Sequence, residues 1–464
     1  MKFLPTPNVV LDSTVRLRSD LPPRGSIQSN ARSGLTLIEI MIALTMTLIV
    51  LGAMMTAFQF ASQKMQAGRA VMELANRARS AESLLRADLA GLTVEPRPYA
   101  QTASPPGYFE YLEGPTRDAT NTLSANNNYL GDIDDVLAMT VRSSGRMFRG
   151  RWNGGIIESP QAEVVWFTTW NDLDVNPATI KFEESVSVRR RVLLIAPAGV
   201  PRLLLDEATD VNVNLFFSNN DISARVVSGD TATTYDVIAN NLNDLALRKN
   251  RFCHQQDPFN PTNDPNIHNF PNVLRRDFLV NRLSPSGDDI VLSDVAGFDL
   301  RVYSPNININ TSAATGVDVI AEPSDPGYVN YASSVGSPNG AFVDLAGDPT
   351  DPNGWFAGNA SVKSQCSYTQ ALSLLPFAGI ENVYDTWAPY YESNSVNEDS
   401  DALLDEGTNG LDDDNLNGVD DTAERETLPP YAHPIRGLQV SIRLIEKGTK
   451  QVHQTTIVHS FVPE

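Results

Sequence analysis

Cysteine, histidine and positive charge are all scarce in this sequence. Two cysteines in 464 residues, Cys253 and Cys366, exclude a disulfide scaffold and a cysteine-rich zinc protein. In an oxidising compartment they allow one disulfide, or none. The five histidines are scattered. His254 lies beside Cys253, but neighbours in sequence are not a catalytic pair in space, and a loop or surface position is expected. His453 and His459 are expected to be ordinary strand residues. No GxSxG, HExxH, Walker A or GxGxxG pattern is present, so no familiar catalytic or nucleotide site is predicted. Lys and Arg number 35 against 56 Asp and Glu, a formal net charge of −21. That balance argues against a nucleic-acid partner, which needs a basic footprint. It also argues against docking on anionic headgroups by charge alone. A hydrophobic fraction of 41 % is too high for a wholly disordered chain.

One long uncharged run interrupts this composition. Residues 40–58 carry no charge, and nineteen residues of helix span roughly 28 Å, close to a bilayer core. A buried core helix would keep one polar face, and this segment has none. A secretory signal would end in a small-residue cleavage site, whereas here the helical pattern continues. Ser62 to Leu92 is rich in Ala, Leu, Met, Arg, Glu and Gln, with Met65, Met72, Ala75, Leu85, Leu89 and Leu92 mostly at helical spacings. One helix of nearly sixty residues is expected, with a transmembrane part over 35–61, an amphipathic continuation over 62–94, and Pro96 and Pro98 marking its end. Segment 1–34 holds five basic residues against Asp12 and Asp20, a net +3, which favours a cytoplasmic N-terminus.

Glu39 sits at the start of the apolar run. An ionised carboxylate inside a membrane costs about 2.5–3.5 kcal/mol or more unless paired, so a glutamate there is a functional candidate. The alternative is a side chain that snorkels to the interface. The run Gly34-Leu35-Thr36-Leu37-Ile38-Glu39, behind a basic leader, resembles the class III signal of type IV pilins and type II secretion pseudopilins. The resemblance implies that a prepilin peptidase cleaves after Gly34 and methylates the new amine of Leu35. It also implies that Glu39, fifth in the mature chain, meets the amine of a neighbouring subunit during assembly. Pairing then relieves the buried carboxylate and fixes register.

After residue 95 the chain turns to β-branched and aromatic runs separated by Asn, Asp, Pro and Gly. Strands are predicted at Val136–Arg142, Glu163–Thr169, Arg191–Ile195, Val211–Phe217, Phe298–Tyr303, Leu438–Ile445 and Thr455–Val462. The last two are expected to form a hairpin about Lys447-Gly448-Thr449-Lys450. The fold class expected is α+β: a long N-terminal helix followed by an extracytoplasmic antiparallel β head over 95–464. Residues 250–272, with four prolines and six asparagines, and residues 304–360 read as irregular insertions.

Leu85-Arg86-Ala87-Asp88-Leu89, Glu163-Val164-Val165-Trp166-Phe167, Arg190-Arg191-Val192-Leu193-Leu194 and Arg436 through Leu444 are similar to J-type minor pseudopilins and their W-type minor pilin relatives. The implied role is structural rather than enzymatic: a single-pass inner-membrane subunit, its head periplasmic, at the tip of a type II secretion pseudopilus with other minor pseudopilins. The alternatives are a minor pilin of a type IV pilus and a membrane-anchored calcium-dependent adhesin.

Residues 392–426 hold thirteen acidic side chains and one base, Arg425, a net −12. Within them Asn409-Gly410-Leu411-Asp412-Asp413 recurs as Asn417-Gly418-Val419-Asp420-Asp421. The second copy fits the calcium loop D-x-[DN]-x-[DN]-G-x₅-E. Asp413, Asn415 and Asn417 would supply side-chain oxygens, Val419 its carbonyl, and Asp421 and Glu424 the remaining ligands, with Gly418 at the sharp turn. Thr427-Leu428-Pro429-Pro430 forbids a long exiting helix, so a free-standing loop rather than an EF-hand is expected. A solvated acidic linker is the plainer alternative. The aromatic residues of Tyr384 to Tyr391 are expected to pack under this loop.

Overall fold

The computed structural model describes residues 36–97, 107–113, 131–133, 135–170, 186–209, 213–231, 234–254, 289–305, 310–312, 319–321, 340–345, 382–386, 403–421, 424–425, 434–448 and 451–462. The fold is α+β. One helix, α1 (Leu37–Ala90), precedes an antiparallel β domain. The chain divides into two units at Lys64/Met65. In the first, every large apolar side chain from Leu37 to Phe60 is exposed. Such a surface is rare on soluble proteins, and this is the one described helix long and apolar enough to cross a membrane.

The second unit begins with the rest of α1. Its buried face is Leu74, Ala78, Ala81, Leu85, Asp88 and Leu89, a spacing of three and four that keeps side chains on one stripe. Met65 and Met72, expected on that stripe, are exposed. The two alanines let the helix lie close to the sheet. The helix stops at Ala90 because Gly91 must pass close to a strand. A Cβ there would sit 2.6 Å from the Arg142 carbonyl, and the Arg142 N–H donates to the Gly91 carbonyl at 2.7 Å.

Strands β1 (Phe109–Glu113), β2 (Val136–Arg142), β5 (Gln161–Trp170), β6 (Val186–Leu194), β10 (Asp289–Ser304), β14 (Asn382–Asp385), β15 (Gly437–Glu446) and β16 (Gln451–Ser460) form one antiparallel sheet. Its order is β14-β1-β2-β5-β6-β10-β15-β16, with β13 (Ala341–Val343) also on β10. The hairpin β3 (Phe148–Trp152) and β4 (Gly155–Ser159) and the pair β11 (Asn310–Ser312) and β12 (Val319–Ala321) stand apart, as does a small sheet of β7 (Leu203–Ala208), β9 (Tyr235–Ala239) and β8 (Ala224–Ser228). The described parts of 304–360 therefore include three short strands within the expected irregular insertion.

Alternation places two cores on the two faces of the main sheet. Leu137, Met139, Val164, Trp166, Leu438, Val440, Ile442 and Leu444 pack with the α1 stripe. Ala138, Val165 and Phe167 point the other way, toward Phe217, Val237, Leu245 and Phe252. The expected wet face of β15 is present, with Gln439, Ser441 and Arg443 only partly buried.

One predicted strand is a helix. Of Val211–Phe217, the described part belongs to α2 (Val213–Asn219). Its last turn is held from outside: Arg191 Nη2 donates to the Phe217 and Asn220 carbonyls, and Arg151 Nη2 to the Ser218 carbonyl. Arginine satisfies the orphan carbonyls of a helix end, and no local residue pattern announces that. Tyr384 also departs from expectation. It is buried on β14 in the first core, its hydroxyl donating to the Pro96 carbonyl at 2.8 Å, rather than under the acidic loop.

Candidate functional site: helix start, buried ion networks and acidic loop

Gly34 and Leu35 lie outside the described residues. Glu39 is described, and its carboxylate has a local partner. Glu39 Oε2 accepts the Thr36 N–H at 2.9 Å and the Thr36 hydroxyl at 3.0 Å, while the Glu39 N–H approaches Thr36 Oγ1 at 3.3 Å. This is a capping box, in which residues three apart satisfy donors that the first helical turn leaves open. The T-x-x-E spacing of Thr36 and Glu39 is the sequence signal for this box. The first turn thus holds the Glu39 carboxylate on Thr36, three residues before it.

The conspicuous segments of the head meet in space. Asp88, on the buried stripe of α1, accepts from Trp166 Nε1 at 2.8 Å, and from Arg190 Nε and Nη2 at 2.7 Å each. Helix, β5 and β6 are therefore joined at one buried carboxylate by a bidentate, charge-assisted pair. Glu163, two residues before Val165 on the opposite face, accepts the Tyr108 hydroxyl at 2.7 Å, the Ser223 hydroxyl at 2.6 Å and the Phe252 N–H at 2.8 Å. Burial raises its carboxyl against those bonds.

A larger ion network lies beside Glu163. Glu110 on β1 contacts Arg248 Nη2 at 2.8 Å, Arg251 Nη1 at 3.0 Å and His254 Nε2 at 2.9 Å. Asp385 on β14 contacts Arg251 Nη1 at 2.9 Å and Arg248 Nε at 3.3 Å. The Arg251 guanidinium also stacks 4.1 Å from the Tyr108 ring centroid. All these residues are buried. Burial alone would raise Glu110, but His254, Arg248 and Arg251 hold it well below the usual carboxylate range. Asp385 also faces the charge of Glu110, and burial pushes it up to about 6. Burial and the two arginines depress His254 against the pull of Glu110.

This corrects two expectations. His254 is a buried network member, not a surface histidine. Residues 250–254, read as the start of an irregular insertion, are ordered in three-ten turns under the sheet. Cys253, the other candidate bridge cysteine, is a free buried thiol, and Cys366 lies outside the described residues. Burial pushes the Cys253 thiol well up, the direction expected of a structural buried cysteine.

The acidic loop is held together by its own backbone. Glu424, itself buried, accepts the N–H groups of Asp413 and Asp414 on Oε1 and of Asp421 on Oε2. Asn415, Asn417 and Asp420 take left-handed conformations, and Gly418, at the expected sharp turn, has φ 108°. Carboxylate oxygens of Asp412, Asp414 and Glu424 lie within 4.8 Å of one another. Of the predicted calcium ligands, Glu424 belongs to that group. Asp413 contributes its N–H instead, and its carboxylate accepts the Asn409 amide at 2.6 Å. Asp421 is partly buried and Asn415, Asn417 and Val419 are exposed. Two other carboxylate groups have the same spacing among the described residues: Glu113, Asp132 and Asp135, all buried, and Asp206, Glu207 and Asp236.

No protein-family model, curated protein or solved structure matches this chain.

Proposed function

We propose that the chain is a minor pseudopilin: a non-enzymatic assembly subunit at the tip of a type II secretion pseudopilus, most similar to the J-type. In this reading residues 1–34 are a cytoplasmic leader, α1 crosses the inner membrane once, and the β head lies in the periplasm with other minor subunits. The W-type pilus subunit is the alternative within the class. The observation that carries the proposal is the sequence run Gly34-Leu35-Thr36-Leu37-Ile38-Glu39 leading into a helix whose large apolar side chains from Leu37 to Phe60 are all exposed. The capping box supports it physically. A lone chain entering the bilayer satisfies Glu39 with two bonds from the neutral donors of Thr36, which an incoming charged amine at a neighbour's Leu35 outcompetes. Assembly then exchanges a local partner for an intersubunit one.

The test is the mature N-terminus. Gly34→Leu in cells carrying the prepilin peptidase should leave the leader attached, seen as a longer chain by intact mass. A Gly34→Leu protein that still begins at a methylated Leu35 sinks the proposal. The acidic loop is read as a calcium loop that orders this part of the head. The ligands proposed are Asp413, Asn415, Asn417, Val419, Asp421 and Glu424. The repeat and the ligand spacing support this reading.

A further inference from the structure

The main sheet has two very different ends. β14 is four residues long and finishes at Asp385, inside the ion network. β16 is ten residues, Gln451–Ser460, paired with β15 over ten consecutive partners from Gly437↔Ser460 to Glu446↔Gln451 without a register break. Exposed edges are normally blunted by shortness, charge, proline or a bulge. The sequence Gln-Val-His-Gln-Thr-Thr-Ile-Val-His-Ser has none of these.

The direction of its free groups follows from the ladder. The Phe461 N–H donates to the Arg436 carbonyl at 2.9 Å. Alternation then turns the N–H and C=O of odd-numbered residues toward β15 and those of Val452, Gln454, Thr456 and Val458 outward. Arg86 Nη1, donating to the Val458 carbonyl at 3.2 Å, agrees with this direction. Among the described residues that outward row meets no strand.

We propose that this edge pairs with the same edge of a second copy, antiparallel about Thr455. That register sets Val452 opposite Val458 and Gln454 opposite Thr456, each an outward-facing, hydrogen-bonded pair, and places Thr455 against itself. Val452 and Val458 are 41 % and 47 % exposed, and here they cover one another. A shift by one step either way sets Val452 against Ser460 or Thr456 instead. Self-pairing also suits the charge. The chain is −21 overall, yet the strand brings no like charges together. The Val458 carbonyl has a second lone pair, so Arg86 need not leave. The proposal is independent of the pseudopilin reading.

The test uses the full chain in detergent. In the double variant Val452→Cys with Val458→Cys, the new thiols are about 20 Å apart along one strand, too far to bridge within a chain. Across the proposed axis they are opposed. Mild copper–phenanthroline oxidation should give a covalent species of twice the monomer mass, and each single variant should stay monomeric. Adding Thr456→Pro, which removes an outward N–H that pairs with no strand among the described residues, should abolish that species. The unmodified chain should sediment as a dimer and its Thr456→Pro variant as a monomer. Helix-driven association would not respond to that proline. Equal crosslinking in single and double variants overturns the proposal, as does a dimer that survives Thr456→Pro. Crosslinking to a different protein in place of a second copy also overturns it.

Discussion

The acidic loop and the buried ion network are two concentrations of charge in the head, and they are opposites. The loop gathers its carboxylates in one short stretch, balances them with almost no base, and leaves those described, apart from Glu406 and Glu424, at least partly open to water. The network draws Glu110, Arg248, Arg251, His254 and Asp385 from three distant segments, balances two guanidinium groups with two carboxylates, and buries them all. Charge in water is cheap and contributes little to stability. Buried charge is tolerated only when every partner is in place. The loop is therefore conspicuous in composition and mild in energy, and the network is the reverse.

The sharpest way to break this contrast is to remove one buried partner. Glu110→Ala leaves Arg248, Arg251 and His254 with Asp385 as the remaining acid, and should cost about 3–5 kcal/mol of stability in denaturant titration. A loss no larger than that of a surface substitution would mean the network does not exist in solution.

Next comes the pH dependence of the same network. The folded Asp385 carboxyl is raised to about 6, above its usual 3.8. The folded state then binds more protons between those values, so this group's contribution is present at low pH and lost as pH rises through about 6. His254 acts in the opposite sense: its folded value is lowered, so its contribution falls as pH drops below 6.5. Comparing the chain with Asp385→Asn isolates the first effect. The native chain should gain stability relative to the variant as pH falls from 7 to 4. A difference that stays flat would show that Asp385 is ionised throughout.

The smallest expected effect belongs to the loop. With an affinity near 1 mM, typical of extracellular calcium modules, 10 mM Ca²⁺ should stabilise the chain by about 1.4 kcal/mol. Glu424→Gln should remove that increment. No calcium-dependent change in melting temperature would leave the loop a solvated linker. Comparing Asp413→Ala with Asp412→Ala then distinguishes the ligand frame read from the motif from the neighbouring carboxylate group in the structure.

Legibility divides along the same line. Long-range order with a period was readable: the uncharged helix, the alternation of β15, and β2 at the boundaries expected of it. The sharp turn at Gly418 was readable too. The residues of Val211–Phe217 were misread because two arginines from elsewhere terminate α2. His254 and 250–254 were misread because proline and asparagine nearby suggested irregular backbone, while the arginines that order it pair with a strand 138 residues away.

By itself the sequence determined the helix, its uncovered apolar half, the acidic loop and the α+β class, because each depends on residues close together along the chain. Tertiary structure alone decided that Asp88 holds Trp166 and Arg190, that Glu110 and Asp385 together balance two arginines, and that β16 lies last in the sheet among the described strands. Those are pairings between remote segments. Burial makes such partners obligatory, but no spacing in the sequence says which ones meet.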